Sequence, residues 1–310
     1  MVSREQIAQA AALIRSGRVV AFPTETVYGL GANALDPAAI NRIYAIKERP
    51  KTSPLIVHVS SVNMAKSLVS HWPESADLLA RAFWPGPLTL VLPKNDRIPV
   101  ELTAGLATVG LRMPAHPVAL ALIEESGLPI AAPSANRFTQ LSPTTAQHVA
   151  DGLGDAVDLI LDAGPAEVGI ESTVLSLTGS QPVLLRPGMV SREAIEAYLG
   201  PILLLDQAGV AHASPGLHVK HYSPRTPLYL LSQGQALPKS GTGIYLYWSN
   251  PHDAAKSQAM PAEPEKYAAI LYDTLHQADL CGYDWIAVEA PPSTSAWAGI
   301  LDRLERASIR

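Results

Sequence analysis

Four basic side chains stand where their charge could bind a ligand. Lys47 and Arg49 end a predicted helix. Arg112 lies within an apolar strand, and Arg186 directly follows another strand. A buried guanidinium needs a partner, so Arg112 is the strongest candidate, whereas a solvated helix end would also explain Lys47 and Arg49. Four such cations in a chain of net charge −5 indicate a polyanionic or carboxylate ligand.

Hydroxyl, amide and imidazole groups also collect at the ends of predicted strands. They are Thr24, Thr26, Tyr28, His58, Ser134, Asn136, Ser172 and Thr173. No serine is spaced with a recognisable base and no carboxylate pair stands out, so nucleophilic catalysis is not indicated. Positioning and charge stabilisation, as in phosphoryl or nucleotidyl transfer, fit the set better. Two plainer explanations stay open, because His58 could be a hydrogen-bonded core histidine and Ser134-Ala-Asn136 a capping turn.

The segment PTETVYGLGANALDP (23–37) must position several of these groups. An apolar run before it predicts a strand, Gly29 and Gly31 predict a turn, and Asp36-Pro37 predicts a helix start. α/β enzymes commonly build ligand sites from such a strand, turn and helix. The glycines also match the loose dinucleotide fingerprint, but a polar hexapeptide separates them from the strand, which argues against a nicotinamide or flavin site. The chain has no P-loop sequence.

The hydrophobic pattern predicts an open α/β sheet for the first two thirds of the chain. Strands are predicted at residues 19–22, 54–59, 88–92, 108–113, 129–132, 157–161, 173–177 and 183–185. Helices are predicted at 4–16, 37–46, 63–69, 74–83, 118–125 and 192–198, with a further helix capped by Ser142-Pro143. Because strand carboxyl ends share one crevice in open α/β sheets, we expect the polar and basic groups to meet there.

Composition narrows the class of protein. The 310 residues are 47% hydrophobic and 16% charged, which suits one large or two ordinary globular domains. A net charge of −5 provides no general basic field for nucleic acid. The single cysteine, Cys281, argues against disulfides and thiolate zinc sites and favours a cytoplasmic location. No apolar run approaches membrane-spanning length, and Ser3-Arg-Glu-Gln6 is a helix-capping box, not a signal peptide.

Three parts are predicted: a catalytic domain at 1–205, a linker at 206–226 and a smaller Rossmann-like α/β domain at 227–310. The linker lacks hydrophobic periodicity and is unusually long for an idle loop. We expect it to act as a lid over the cleft, and a passive tether between the domains is the alternative. Its His218-x-x-His221 spacing resembles a metal motif, but no third ligand is near and a metal site is not expected. The last part, with strands at 228–231, 243–247 and 285–289 and helices at 264–278 and 295–307, shows no convergent polar cluster and is expected to be accessory.

Several of these segments together resemble one family. The motifs are PTETVYGLGANA (23–34), KERP (47–50), PLIVH (54–58), WPGPLT (84–89), VGLRMP (109–114), APSAN (132–136), GIESTV (169–174) and LRPG (185–188). They resemble the YrdC-type domain of L-threonylcarbamoyladenylate synthases, which implies an open, twisted α/β sheet with a large cleft. SPGLHVKHYSP (214–224) resembles the linker of the long, two-domain form, and the remaining residues match its accessory domain in position and size.

The resemblance implies a nucleotidyltransferase that makes threonylcarbamoyl-AMP and pyrophosphate from L-threonine, bicarbonate and ATP, for threonylcarbamoyl-adenosine modification of tRNA next to the anticodon. It assigns threonine binding to Thr26, His58, Arg112, Ala132 and Ser172. It assigns ATP binding to Arg49, Ser53, Thr108, Ser134, Asn136, Ser142, Arg186 and Tyr222. Lys47, Arg49 and Arg186 are the implied catalytic residues.

The resemblance also implies Mg²⁺ bound with the phosphates, since no carboxylate cage is visible in the sequence. A downstream tRNA-modifying transferase complex is the implied partner, weak RNA binding is a further one, and no membrane is involved. Two rival functions are a module that holds RNA backbone without chemistry, and a related domain that transfers carbamoyl groups to another acceptor. The net charge argues against the first, and the absence of zinc-finger and acylphosphatase-like segments argues against the second.

Overall fold

A mixed ten-stranded sheet forms the frame of the N-terminal region. The structure, a computed structural model, describes residues 2–205, 221–232, 234–251 and 256–309. The strands are β1 (Val20–Phe22), β2 (Gly29–Asn33), β3 (Ile56–His58), β4 (Leu88–Pro93), β5 (Thr108–Arg112), β6 (Ile130–Ala131), β7 (Leu159–Ile160), β8 (Thr173–Ser176), β9 (Val183–Arg186) and β10 (Leu203–Leu204). Their order across the sheet is β10-β9-β8-β4-β5-β3-β6-β2-β1-β7.

Parallel and antiparallel neighbours both occur in this sheet, so the expectation that all site residues follow strand carboxyl ends is only partly right. His58 and Arg112 do end the parallel neighbours β3 and β5, where they are register partners. Ser172 instead precedes β8, and it meets Arg186 because β9 runs antiparallel to β8. The amino end of β8 and the carboxyl end of β9 therefore meet at this part of the cleft.

Helices cover both faces of the sheet. They are α1 (Arg4–Arg15), α2 (Pro37–Lys47), α3 (Val62–Lys66), α4 (Glu74–Phe83), α5 (Pro117–Ser126), α6 (Ala146–Leu153) and α7 (Arg192–Leu199). One buried cluster holds residues of α2, α4, α6 and α7, and a second holds residues of α1 and α5. Because Val20 belongs to the second cluster and Ala21 to the first, alternate residues of β1 contribute to different cores.

The predicted glycine turn is wrong. Gly29 and Gly31 lie in β2, which pairs antiparallel with β1. A Cβ atom on Gly31 would come within 2.5 Å of the Phe22 ring and 2.9 Å of Ile130. The glycine therefore allows close packing across the hairpin. The expected start of α2 is confirmed, because the Asp36 carboxylate accepts a hydrogen bond of 2.9 Å from the backbone N–H of Ala38.

A second, all-parallel sheet forms the frame of the C-terminal region. Its strands are β11 (Leu228–Leu231), β12 (Gly243–Tyr247), β13 (Ser257–Ala259) and β14 (Trp285–Glu289), in the order β11-β14-β12-β13. The helices are α8 (Pro264–Leu280) and α9 (Ala298–Ala307), and a 3₁₀ turn at Ser295–Trp297 replaces the predicted start of the last helix. β13 was missed because its three residues are exposed and carry no apolar pattern.

The two regions share buried apolar contacts. Val27, Leu141 and Ile170 of the N-terminal region belong to the same cluster as residues of α8 and α9. This packing places α8 and α9 against the loops that carry predicted site residues. Within the described ranges, no helix is long and apolar enough to cross a membrane.

Candidate active site

Predicted site residues from several separate segments converge on one cleft in the N-terminal region. The cleft together with its open mouth spans about 540 Å³ that no protein atom occupies. The predicted residues that line it are Thr26, Arg49, His58, Arg112, Ala132, Ser134, Ser172, Arg186 and Tyr222. A larger groove of about 1280 Å³ lies between β9, β10 and α9, but it contains none of the predicted site residues. The convergence of polar groups, not volume, therefore selects the smaller cleft.

The β3–β5 pair brings an imidazole and a guanidinium to one side of the cleft. A terminal nitrogen of Arg112 lies 2.8 Å from the carboxylate of Glu25 and 3.4 Å from the hydroxyl of Thr24. Among the described residues, neither carboxylate oxygen of Glu25 makes an aligned hydrogen bond, nor does the Arg112 Nε. Glu25 and Arg112 therefore form an ion pair without an aligned hydrogen bond. Arg112 keeps N–H donors for a ligand carboxylate.

His58 supplies a neutral imidazole beside Arg112. Burial holds the pKa of His58 well below its usual range, and the positive charge of Arg112 lowers it further. Its Nδ1 has no hydrogen-bond partner among the described residues. A neutral ring of this kind can exchange hydrogen bonds with a ligand hydroxyl or amine without adding charge.

Arg49 lies on another side of the cleft and is held by the loop after α2. Its guanidinium donates to the Ser53 hydroxyl at 2.6 Å and to the carbonyl oxygens of Ser53 and Pro54. Burial lowers the pKa of Arg49 to about 10, against the opposing influence of Tyr44 and Tyr222. The guanidinium therefore remains charged near neutral pH and can face a phosphate.

Lys47 does not line the cleft. Its ammonium group is 1% exposed and donates to the carbonyl oxygens of Ser134 and Asn136. Burial holds the pKa of Lys47 well below its usual range, and Arg49 lowers it further. In this ligand-free arrangement Lys47 supports the loop that carries Ser134.

Like Lys47, four of the predicted ATP-binding residues lie outside the cleft lining. Ser53 holds Arg49, and the Asn136 amide donates to the carbonyl oxygens of Arg137 and Gln140. Thr108 lines a separate small cavity. Ser142 does not cap a helix, since the N-cap of α6 is Thr145, and its hydroxyl instead donates to Glu171.

Arg186 and Tyr222 close the cleft opposite β3 and β5. Arg186 donates to the Ser172 carbonyl at 3.1 and 2.9 Å and to the Tyr222 hydroxyl at 3.4 Å. The Ser172 hydroxyl lies 2.8 Å from that of Thr89. Tyr222 is 1% exposed and has a left-handed backbone with φ of 61°, which is rare for a side chain of this size. Ser172, a predicted threonine ligand, is thus joined to two predicted ATP ligands.

Sequence reasoning missed two acidic residues at the site. Glu25 pairs with Arg112, and Glu171 accepts hydrogen bonds from Ser142, Tyr272 and Arg303. Both carboxylates lie inside the quoted motifs, where an acidic residue in an otherwise apolar or hydroxyl-rich run signals a buried partner.

Most of the predicted lid lies outside the described residues. Residues 206–220, including His218 of the suggested metal motif, are in this group. His221 is described, and its ring contacts Phe138 and Tyr222 edge-on, at 5.5 and 4.1 Å between ring centroids. The described end of the linker thus packs beside the cleft.

The carboxylates of the site decide whether the protein itself could hold a metal ion there. Among the described residues, no group of three or more His, Cys, Asp or Glu side chains could hold a metal. Glu25 and Glu171 both face guanidinium groups instead. The described residues therefore offer no protein cage for Mg²⁺.

Two stacked histidines join the two regions next to Ser142. The rings of His148 on α6 and His276 on α8 lie 3.9 Å apart between centroids, and His276 Nε2 lies 3.2 Å from the Ser142 carbonyl oxygen. Burial lowers the pKa of His276 to about 4, and His148 lowers it further. Burial also lowers the pKa of His148. A proton on either ring therefore opposes the packing of α8 on α6.

We predict that His276→Gln makes stability less dependent on pH. The folded pKa of His276 lies below that of the unfolded chain, so between pH 6.5 and 4 the unfolded chain binds more protons and stability falls as pH falls. Removing this imidazole makes the fall shallower by up to about 1.4 kcal/mol per pH unit. Urea unfolding at stepped pH measures the slope, with exposed His71→Gln as the control. Equal slopes for wild type and His276→Gln would contradict the prediction.

Known proteins resemble the chain over nearly its whole length. A family model described as "Telomere recombination" matches residues 12–188, and one described as "Threonylcarbamoyl-AMP synthase, C-terminal domain" matches 190–308. The threonylcarbamoyl-AMP synthase of Bacillus subtilis is 45% identical, over 98% of this chain and 93% of that protein. The crystal structure of P. abyssi Sua5 complexed with L-threonine superposes with a TM-score of 0.92 at 39% identity, covering 99% of this chain and 95% of that one.

The same enzyme name also belongs to a shorter relative. The threonylcarbamoyl-AMP synthase of Alkalilimnicola ehrlichii is 39% identical, over 53% of this chain and 86% of that protein. The similarity to long relatives extends through both regions, and the fold agrees with the fold expected from the motifs. The chain is therefore an enzyme of the threonylcarbamoyl-AMP synthase family.

Proposed function

We propose that this enzyme makes threonylcarbamoyl-AMP and pyrophosphate from L-threonine, bicarbonate and ATP. The observation that carries the proposal is the convergence of Arg49, Arg112 and Arg186 on one cleft that also holds the neutral imidazole of His58. Three cations suit a triphosphate and a carboxylate bound together. A similar protein was crystallised with L-threonine, which supports the amino acid as one of the ligands.

The Arg112 side of the cleft suits threonine. The guanidinium can take the threonine carboxylate in a two-pronged contact, while His58 and the hydroxyls of Thr26 and Ser172 offer hydrogen bonds to the amine and hydroxyl. We therefore propose Thr26, His58, Arg112, Ala132 and Ser172 as the threonine site. The low pKa of His58 keeps its ring neutral, so the ring can accept a hydrogen bond from the threonine nitrogen but is a poor base for its proton.

The Arg49 and Arg186 side suits ATP. In the proposed reaction the threonine nitrogen forms a bond to the bicarbonate carbon with loss of water. An oxygen of the resulting carbamate then attacks the α-phosphorus, and the bond to the bridging oxygen breaks to release pyrophosphate. Charge on the phosphoryl oxygens rises during this displacement, and fixed guanidinium groups in a buried cleft stabilise it.

The other predicted nucleotide residues act around these two arginines. Ser134 and Tyr222 line the cleft, while Lys47, Ser53 and Asn136 support its walls. We propose that Ser142 and Thr108 contact ATP only after the cleft adjusts to the ligand, because neither lines it here. We propose that Mg²⁺ arrives with the ATP phosphates, since the described residues offer no cage.

The biological setting proposed for the product is threonylcarbamoyl-adenosine modification of tRNA beside the anticodon, through a downstream transferase complex. An acyl-phosphate anhydride is reactive toward water and nucleophiles, so a downstream enzyme must consume it quickly. A cytoplasmic location fits the single, exposed Cys281. Direct RNA binding would be weak, in keeping with the net charge of −5.

Pyrophosphate release from ATP tests the proposed function. We expect release only when L-threonine and bicarbonate are both present, and far slower release with L-valine, which lacks the hydroxyl. Release that does not depend on the amino acid would contradict the proposal. A titration of RNA binding against salt, run beside this assay, separates an enzyme from a module that holds RNA backbone: tight, salt-sensitive RNA binding without pyrophosphate release would favour the module.

A further inference from the structure

One arginine of the C-terminal region reaches the wall of the cleft. Arg303 lies on α9, is 1% exposed, and is among the largest fully buried side chains of the described residues. Its guanidinium donates to the Glu171 carboxylate at 2.9 Å, to the Glu171 carbonyl at 3.1 Å and to the Pro187 carbonyl at 2.6 Å. It therefore clamps the two loops that precede β8 and follow β9.

The carboxylate that Arg303 holds is itself part of the cleft wall. Glu171 lines the cleft and accepts hydrogen bonds from the Ser142 hydroxyl and from the Tyr272 hydroxyl of α8 at 3.1 Å. Burial alone would raise the pKa of Glu171, but Arg303 and Arg186 lower it, so the group stays ionised. Without Arg303 this buried charge would lose its main ion-pair partner.

Arg303 also contacts the nucleotide side through Tyr222. Its guanidinium lies 5.3 Å from the centre of the Tyr222 ring. The hydroxyl of this tyrosine accepts from Arg186, which in turn holds the residue after Glu171. Three residues proposed to bind ATP are thus connected to Arg303: Tyr222 directly, Ser142 through Glu171 and Arg186 through Tyr222.

We propose that Arg303 is a positioning residue for the ATP half of the reaction, so that the C-terminal region completes the active site instead of only being attached to it. The proposal rests on the function proposed above. Removing the guanidinium leaves Glu171 as a buried anion beside Arg186. That anion would draw Arg186 away from Tyr222 and Ser172 and release the Ser142 hydroxyl from its place.

A graded series of variants tests this role. Arg303→Met removes the charge, Arg303→Lys keeps the charge but loses the three-way clamp, and Tyr272→Phe removes only one donor to Glu171. The matched control is Arg18→Met, because Arg18 is an arginine with a 52% exposed side chain that pairs with Asp158 and lies outside the cleft.

The experiment compares how each variant changes the affinity for ATP and the affinity for L-threonine. For Arg303→Met we expect the Kd of a non-hydrolysable ATP analogue and the KM for ATP to rise about tenfold or more, while the Kd for L-threonine changes less than about threefold. For Arg303→Lys and Tyr272→Phe we expect ATP affinities between those of Arg303→Met and wild type. The control should keep wild-type affinities. A merely structural role would lower the amount of active protein and leave both ligand affinities intact.

Three results would overturn the proposal: wild-type ATP affinity in a folded Arg303→Met, equal losses for both ligands, or the same loss in Arg18→Met. If Arg303→Met does not fold, the same comparison is made with Arg303→Lys and Tyr272→Phe, for which unchanged ATP affinity would also overturn it. Failure of the proposed function is distinct, because it shows in wild type as pyrophosphate release without L-threonine or bicarbonate. The analogue titration still reports on Arg303 in that case.

Discussion

Replacing Arg112 by lysine weakens L-threonine binding about ten- to a hundredfold, or about 1.5–3 kcal/mol. Arg112 is 4% exposed and its guanidinium contacts Glu25 in the ligand-free site, yet the guanidinium keeps donors that are not used within the described residues. A lysine is a single point charge that cannot bind Glu25 and the threonine carboxylate with a planar fork. It would therefore stay with Glu25, and the ligand carboxylate would lose its partner.

Isothermal calorimetry with L-threonine measures this loss. Arg42→Lys is the matched control, since Arg42 forms an ion pair with Asp158 away from the cleft and its side chain is 41% exposed. We expect wild-type affinity in the control. Unchanged threonine affinity in a folded Arg112→Lys would show that another group binds the carboxylate.

Replacing Gly169 by alanine lowers the free energy of unfolding by about 2–5 kcal/mol. Gly169 has a left-handed backbone with φ of 79°, and a Cβ atom there would lie 2.2 Å from the carbonyl oxygen of Ala268 and 2.6 Å from the Cα of Ala269. Both atoms belong to the backbone of α8, so neither can rotate away. The helix would have to shift from the loop that carries Glu171.

Gly164 offers a matched control, because its φ is 85° and nothing lies within 4 Å of the Cβ position. Gly164→Ala therefore includes only the backbone strain, about 1–2 kcal/mol. Urea unfolding compares the two variants, and the difference between them measures the cost of moving α8. Equal losses would mean that α8 does not pack on Gly169 as described.

The sequence alone predicted the parts of the site that depend on local pattern. His58 and Arg112 end short apolar runs, and apolar runs predict buried strands, so their meeting on neighbouring strands followed from simple sheet geometry. The start of α2 at Asp36-Pro37 is equally local, because capping needs only neighbouring residues. The motif resemblance added Ala132 and Tyr222, which line the same cleft.

Contacts between distant segments could not be predicted in this way. The glycines of β2 suggested a turn. The structure instead needs a glycine at position 31 because a Cβ atom there would collide with Phe22 and Ile130, and these contacts across the sheet cannot be seen in the local sequence. Ser142 suggested a helix cap, although its partner is Glu171, 29 residues away. Arg303 was missed for the same reason: in sequence it is one charge on an amphipathic helix, and its buried partner is 132 residues distant.

The central claim is that the enzyme joins L-threonine, bicarbonate and the AMP part of ATP. Following the carbon of bicarbonate into the product tests this claim most directly. The enzyme would be incubated with ATP, L-threonine and isotopically labelled bicarbonate. The products would be separated and their masses measured by mass spectrometry. We predict a species with the mass of threonine, one carbonyl group and AMP, in which the carbonyl carries the label, formed in step with pyrophosphate. Pyrophosphate release with an AMP adduct that lacks the label or the threonine, or no adduct at all from folded protein that binds ATP, would contradict it.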